Sequence, residues 1–313
     1  MEYRQFGRTG LRVSPICLGC MTFGREIDEQ ASLPIIQRAL DAGINFFDTA
    51  NVYGHGASEE IVGRALKEVR GRVVLASKVY GQMGDAPNDR GASRYHILNS
   101  VEDSLRRLQT DHLDLYQIHR FDPDTPLDET LRALDDLVRS GKVRYIGCSN
   151  FDAWQVMKAL WIGDREHLVR FVSIQPRYNL VFREPEIDLL PMALSEGLAV
   201  IPYSPLAGGF LTGKYKPDEP IPPDTRLATA QWYQGIYVKD KNFRAVAAVA
   251  EYARQRGIPK EQLALAWVMS HPAVTAPIVG ARTLAQLDTA LAAHALKMTR
   301  EERAEMSRIA EEA

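Results

Sequence analysis

The chain has 313 residues, 45% of them hydrophobic and 25% charged, with a formal net charge of −2. That is the composition of a globular chain with a substantial core, and its near-neutral balance gives no basic footprint for nucleic acid or an anionic membrane. No apolar run approaches the roughly 20 residues that span a bilayer, and Met1–Gly10, carrying Glu2, Arg4 and Arg8, has no apolar signal core, so a cytoplasmic protein is expected.

In chain order, residues 1–14 come first, and their Gly7-Arg8-Thr9-Gly10 turn predicts a short hairpin. Short β-rich apolar runs then alternate with helix-periodic segments. The runs begin near Ile16, Ile44, Val73, Leu113, Val143, Phe171, Ala199 and Ala273. Most intervals are about 30 residues, the length of one strand–helix unit. Eight such units with no linker or composition break predict one (β/α)₈ barrel domain over 1–313, its bottom closed by the hairpin. Apolar stripes at Ile97, Val101, Leu105 and Leu108, and at Leu127, Leu131, Leu134 and Val138, mark helix faces that pack on the barrel. The seventh interval is much longer. It holds a Gly/Pro-rich stretch from Leu206 to about Lys239, then helical segments at Phe243–Arg256 and Lys260–His271. A long loop after a barrel strand lies on the catalytic face and can cover a ligand.

Cys17, Cys20 and Cys148 are an odd set in a long chain, which argues against a disulfide framework. Cys17 and Cys20 form a C-x-x-C pair, but inside a strand-like run rather than at a helix N-terminus, where a thiolate would be stabilised. Buried structural thiols are expected.

Asp48, Tyr53, Lys78 and His119 fall at or just beyond the ends of successive strands. A charge at the end of an apolar strand is costly alone, so Asp48 and Lys78 are expected to pair. A cation held near Tyr53 stabilises its phenolate and is expected to lower the phenol's pKa, making the tyrosine a proton donor to a carbonyl oxygen. His119 can hydrogen-bond the same oxygen and orient the substrate. Such a reaction needs a hydride donor as well. The G-x-G-x-x-G fingerprint is absent, so a dinucleotide would lie across the barrel mouth. There Ser149, Asn150 and Gln175 can hydrogen-bond a carboxamide, and Tyr203 can stack on a ring. Gly208 and Gly209 permit close backbone approach to phosphate. Gly280-Ala281-Arg282 follows the eighth run, where such barrels commonly hold phosphate, and the Arg282 guanidinium suits a 2′-phosphate.

Gly43-Ile44-Asn45-Phe46-Phe47-Asp48-Thr49-Ala50-Asn51-Val52-Tyr53-Gly54, Gly147-Cys148-Ser149-Asn150-Phe151 and Tyr203-Ser204-Pro205-Leu206 together resemble the aldo-keto reductase family, from about Tyr3 to Leu291. The stretches 119–126 and 213–226 resemble its bacterial branch and the related potassium-channel β subunits. The resemblance implies an NADPH-dependent reductase of aldehydes or ketones on a (β/α)₈ barrel, with Tyr53 as general acid and Asp48, Lys78 and His119 completing a tetrad. It implies that NADP(H) is held by Gly19, Met21, Thr22 and Asp48, with Ser149, Asn150 and Gln175 on the nicotinamide amide and Tyr203 stacked on its ring. Ser204, Pro205, Leu206, Gly208, Lys214 and Arg226 would line the pyrophosphate groove, and Gly280, Arg282 and Gln286 would meet the adenosine end. The family often has Asn where this chain has Ala290, and one fewer hydrogen bond of about 0.5–1.5 kcal/mol would weaken cofactor binding a few-fold.

Phe23, Tyr80, Trp232 and Tyr233 are aromatic candidates for a substrate pocket. A metal hydrolase on the same barrel would need an H-x-H pair or similar cluster, which the chain lacks, so no metal site is expected. A channel-associated or redox-sensing nucleotide binder is the main alternative. Its branch commonly replaces the tetrad histidine by Asn, whereas His119 is retained here. A small-molecule carbonyl substrate is expected, with a homo-oligomer compatible with the sequence.

Overall fold

A computed structural model describes residues 1–313. The predicted hairpin is present: β1 (Arg4–Gln5) pairs antiparallel with β2 (Arg12–Val13). It closes the barrel bottom by inserting Phe6 and Val13 into an inner core with Phe46, Leu115, Ala199 and Ile201, and Phe6 meets Phe46 edge to face at 5.7 Å. Gly7 turns the chain at φ +57°, and a Cβ there would lie 2.7 Å from the Ala199 nitrogen and from the Gly197 carbonyl oxygen. Only glycine allows that approach.

Eight parallel strands follow: β3 (Cys17–Gly19), β4 (Phe46–Asp48), β5 (Val74–Val79), β6 (Leu113–Ile118), β7 (Val143–Ser149), β8 (Phe171–Gln175), β9 (Ala199–Val200) and β10 (Ile278–Gly280). Their order is β10-β3-β4-β5-β6-β7-β8-β9. The two edges meet where the Thr275 amide donates to the Val200 carbonyl and the Ile278 amide to that of Pro202, each at 2.8 Å, completing the (β/α)₈ barrel. The last run, predicted from Ala273, pairs regularly only from Ile278. Pro277 precedes it and has no N–H for the ladder, and Pro202 likewise ends β9 early.

Helices alternate with the strands: α1 (Glu29–Asp41), α2 (Ala57–Leu66), α3 (Arg94–Leu108), α4 (Leu127–Arg139), α5 (Ala153–Glu166), α6 (Leu189–Glu196), the one-turn α7 (Arg226–Thr229) and α8 (Gln234–Tyr237), then α9 (Asp240–Gln255), α10 (Lys260–Met269), α11 (Leu284–Ala295) and α12 (Arg300–Glu312). The stripes of α3 and α4 face the sheet as their period requires: Ile97, Val101, Leu108, Leu131 and Leu134 are buried in one continuous layer between barrel and helices. α3 starts on Ser93, whose hydroxyl accepts from the His96 amide, and α5 on a capping box of Asp152 and Gln155. The long segment after β9 winds over the C-terminal ends of the strands as short helical turns. All three cysteines are buried and free, and burial raises each thiol's pKa. No helix is long and apolar enough to cross a membrane.

Candidate active site

Parallel strands deliver their C-terminal ends to one mouth, so residues far apart in sequence meet there. Asp48 ends β4, Lys78 is the penultimate residue of β5, His119 follows β6, and Tyr53 sits on the turn after β4. The Lys78 ammonium is fully buried and uses all three protons. It donates to Asp48 Oδ1 at 2.5 Å, to the Thr49 carbonyl at 2.9 Å and to Tyr53 Oη at 3.2 Å. The second carboxylate oxygen of Asp48 accepts from Gln117 Nε2 at 3.1 Å and Gln175 Nε2 at 3.0 Å. A buried charge pair with every position filled is stable where a lone charge would not be. The His119 ring stands edge-on to Tyr53, centroids 5.6 Å apart.

Burial works against the Lys78 ammonium, yet Asp48 and Tyr53 hold its pKa above the ordinary lysine value. Burial, then the charges of Lys78 and Arg120, push the His119 imidazole well below its usual range, so it is neutral at physiological pH. For Tyr53 the expectation of a lowered pKa is corrected. Burial raises the phenol above its ordinary value, Asp48 adds to that, and Lys78 only offsets part of it. Tyr53 is therefore fully protonated at neutral pH, and the ammonium beside it is placed to stabilise the phenolate once the proton has left.

A cavity of about 600 Å³ runs from this tetrad across the mouth. Of the predicted residues, Gly19, Met21, Thr22, Asp48, Tyr53, His119, Ser149, Asn150, Gln175, Tyr203, Ser204, Pro205, Leu206, Gly208, Lys214, Arg226, Gly280, Arg282 and Gln286 all line it, with Tyr80 and Trp232 at the aromatic end. Lys78 lies behind Asp48 and Tyr53 and reaches the cavity only through them. Phe23 is a correction. It is fully buried in the core with no face on the cavity, and the backbone at the following Gly24 lies against Ala57 and Ile61 of α2. Ala290 is likewise buried, and the adjacent wall carries Gln286 and Thr289 instead.

Two non-glycine residues of this wall have left-handed backbone. Asn150 and Ser204 both sit at φ +56°, which costs energy in a residue with a Cβ. Asn150 Nδ2 donates to the His119 carbonyl at 2.9 Å while its Oδ1 accepts from Tyr203 Oη at 2.8 Å, so one amide joins the ends of β6 and β9. Gln175 directs both amide protons into the barrel, to Asp48 and to Gln117 Oε1, leaving its own Oε1 as the atom free to accept. At the far end Lys214, Arg226 and Arg282 gather around Glu26. Arg226 pairs with Glu26 at 2.8 Å and Arg282 at 3.8 Å. Burial and the two guanidiniums lower the Lys214 pKa. Gly208 and Gly209 adopt φ +65° and +87° beneath it.

Several residues of the site escaped the sequence reading. Gln117 and Arg177 each lie two positions from a predicted residue, His119 and Gln175, and the period of a strand would have placed them on the same side. Glu26 and Arg120 had no such local signal. Glu26 meets Arg226 and Arg282 only through contacts 200 and 256 residues apart in sequence.

A family model for the aldo/keto reductase family matches residues 15–311. The chain is 42% identical to the uncharacterized oxidoreductase YrpG of Bacillus subtilis (strain 168), over 96% of this chain and 93% of the relative. It is 39% identical to versiconal hemiacetal acetate reductase of Aspergillus parasiticus, over 96% and 95% of the two chains. A probable voltage-gated potassium channel subunit beta of Oryza sativa subsp. japonica is also 39% identical, over 90% of this chain and 87% of that one.

Proposed function

Since the chain belongs to the aldo/keto reductase family of oxidoreductases, we propose that it reduces aldehydes or ketones to alcohols with NADPH, Tyr53 acting as general acid. The observation that carries this reading is the buried Lys78 ammonium bridging Asp48 and the Tyr53 hydroxyl at the floor of the cavity. The cavity wall suits a dinucleotide. Glycines in left-handed conformations and three cations offer donors to phosphates, and the Gln175 Oε1 and Tyr203 ring offer an acceptor and a stacking face to a nicotinamide. Bound there, a reduced nicotinamide supplies the hydride.

The rest belongs to the side chains. Tyr53 Oη and the neutral His119 ring orient the carbonyl oxygen between them. As negative charge develops on that oxygen, Tyr53 hands over its proton, and Lys78 stabilises the phenolate left behind. Asp48 keeps Lys78 charged and in place. Arg282 and Lys214 are the groups proposed to distinguish NADPH from NADH. We place the protein in the cytoplasm, as one domain without a membrane segment.

Similarity to a channel subunit beta favours a second reading, a nucleotide-binding regulator with little turnover. Both are tested by mixing purified protein with excess NADPH and a panel of aldehydes, ketones, dicarbonyls and sugar derivatives. Many turnovers per chain are expected with at least one substrate. Tight NADPH binding with no turnover beyond one equivalent would support the regulator.

A further inference from the structure

Two guanidiniums face the catalytic end of the cavity without a carboxylate partner. Arg177, just beyond β8, lines the cavity and is held beside Tyr203 by a parallel bridge between their backbones. Its head lies over the rings of Phe182, Trp232 and Tyr203, at 4.9, 5.3 and 5.8 Å. Its Nε is buried with no hydrogen-bond partner. Arg120 follows His119 and lines the same end. Burial raises the pKa of the Tyr203 phenol, and the nearby guanidiniums of Arg177 and Arg120 offset part of that rise.

The cavity's other charges are engaged elsewhere. Arg226 and Arg282 share Glu26, Lys214 belongs with them at the far end, and Asp48 holds Lys78. Glu261, the one further acid on the wall, lies 3.7 Å from Lys260. Stacking on aromatic faces leaves a guanidinium's edge N–H groups free, and a buried donor without an acceptor is costly unless a ligand supplies one. The Tyr203 hydroxyl is linked through the Asn150 amide to the His119 backbone, so this positive end adjoins the imidazole that orients the carbonyl.

Resting on the carbonyl-reductase reading above, we propose that the substrates are carbonyl compounds bearing a carboxylate, which Arg177 and Arg120 receive while the carbonyl lies against Tyr53 and His119. Hydride on the carbonyl carbon and the Tyr53 proton on its oxygen then yield a hydroxy acid, and the nicotinamide leaves oxidised.

The test compares kcat/KM for 4-carboxybenzaldehyde with that for its neutral ester, methyl 4-formylbenzoate, under saturating NADPH. The two differ chiefly in charge, so the ratio cancels losses common to both. Wild type is expected to prefer the acid by about ten-fold or more, the worth of one charge-assisted pair. Arg177→Gln should bring the ratio to within about two-fold of unity, and Arg177→Lys should restore part of it. Arg120→Gln, at an exposed residue, should lower the ratio as well. A wild-type ratio near one, or a preference that survives both Gln substitutions, overturns the proposal while leaving carbonyl reduction intact. Failure to reduce either aldehyde, or any member of the broader panel, would sink the reductase reading itself.

Discussion

Replacing the Tyr53 hydroxyl by hydrogen removes one acceptor of the Lys78 ammonium and the proposed proton donor, while the ring stays against His119. Tyr53→Phe should therefore fold, still bind NADPH by fluorescence, and lose about 10²–10⁴-fold in kcat for carbonyl reduction. Near-wild-type turnover would remove Tyr53 from the mechanism. Lys78→Met acts on both the chemistry and the fold. It should cost a similar factor in rate, and it leaves the Asp48 carboxylate buried with only the Gln117 and Gln175 amides as donors. A loss of about 3 kcal/mol in urea unfolding is expected, and an unchanged midpoint would mean that the pair contributes little to stability. Arg282 tests cofactor choice. It is held by Glu26 and by the Asp224 carbonyl, to which it donates at 2.8 Å, so its position does not depend on a ligand. Arg282→Ala should raise the KM for NADPH by roughly ten-fold and leave NADH kinetics nearly unchanged. Equal losses with both cofactors would show that it supports the groove generally.

Among the elements, the segment after β9 decides most. It is not a lid of loose chain: Phe210, Tyr215, Tyr233 and Tyr237 are buried in the main core, with Phe210 stacked on Tyr215 and on Tyr237. Those aromatic contacts hold the glycine turn that carries Lys214 and Arg226 to the mouth. Gly209 is at φ +87°, and a Cβ there would lie 2.8 Å from Lys214 Cε and Nζ. Gly209→Ala should thus destabilise by about 1 kcal/mol through backbone strain alone. By displacing Lys214, it should also raise the KM for NADPH with little effect on kcat. A variant with wild-type KM would show that Lys214 does not meet the cofactor. The C-terminal α12 is anchored by Arg303, which donates to Glu186 at 2.8 Å and to the Tyr178 hydroxyl. Partly offset by burial, Arg183, Tyr178 and Arg303 hold the Glu186 carboxyl down at about 2.

For the whole molecule, pH acts mainly through histidines that the fold keeps neutral. Burial lowers the pKa of His96, His119, His271 and His294, and for His271 to about 4. The unfolded chain takes up these protons near pH 6.5, so below that pH it binds more protons than the folded chain, and stability falls as pH falls. The stabilisation is complete above about pH 6.5 and declines toward pH 4. The Glu186 contribution is lost only at still lower pH, below its ordinary value of 4.5. Urea midpoints at pH 7.5, 5.5 and 4.5 should drop in that order, and a flat series would mean that these rings are protonated without cost in the folded state.

The order of apolar runs, their spacing and the residues at their ends were enough to read the barrel, its hairpin and the meeting of Asp48, Tyr53, Lys78 and His119 at one mouth. This works because a parallel strand ends at the same mouth as every other, so a polar residue at its C-terminal end is committed to that face. Short-range periodicity likewise placed the helix faces. What tertiary structure alone decided has no local pattern: the direction of Phe23 into the core, the burial of Ala290, and the meeting of Glu26 with Arg226 and Arg282 across the groove. The protonation of Tyr53 belongs to the same class. Proximity to a lysine could be inferred from the chain, but the cost of burying a phenolate depends on how much of the surrounding wall is apolar, and only the packed barrel sets that balance.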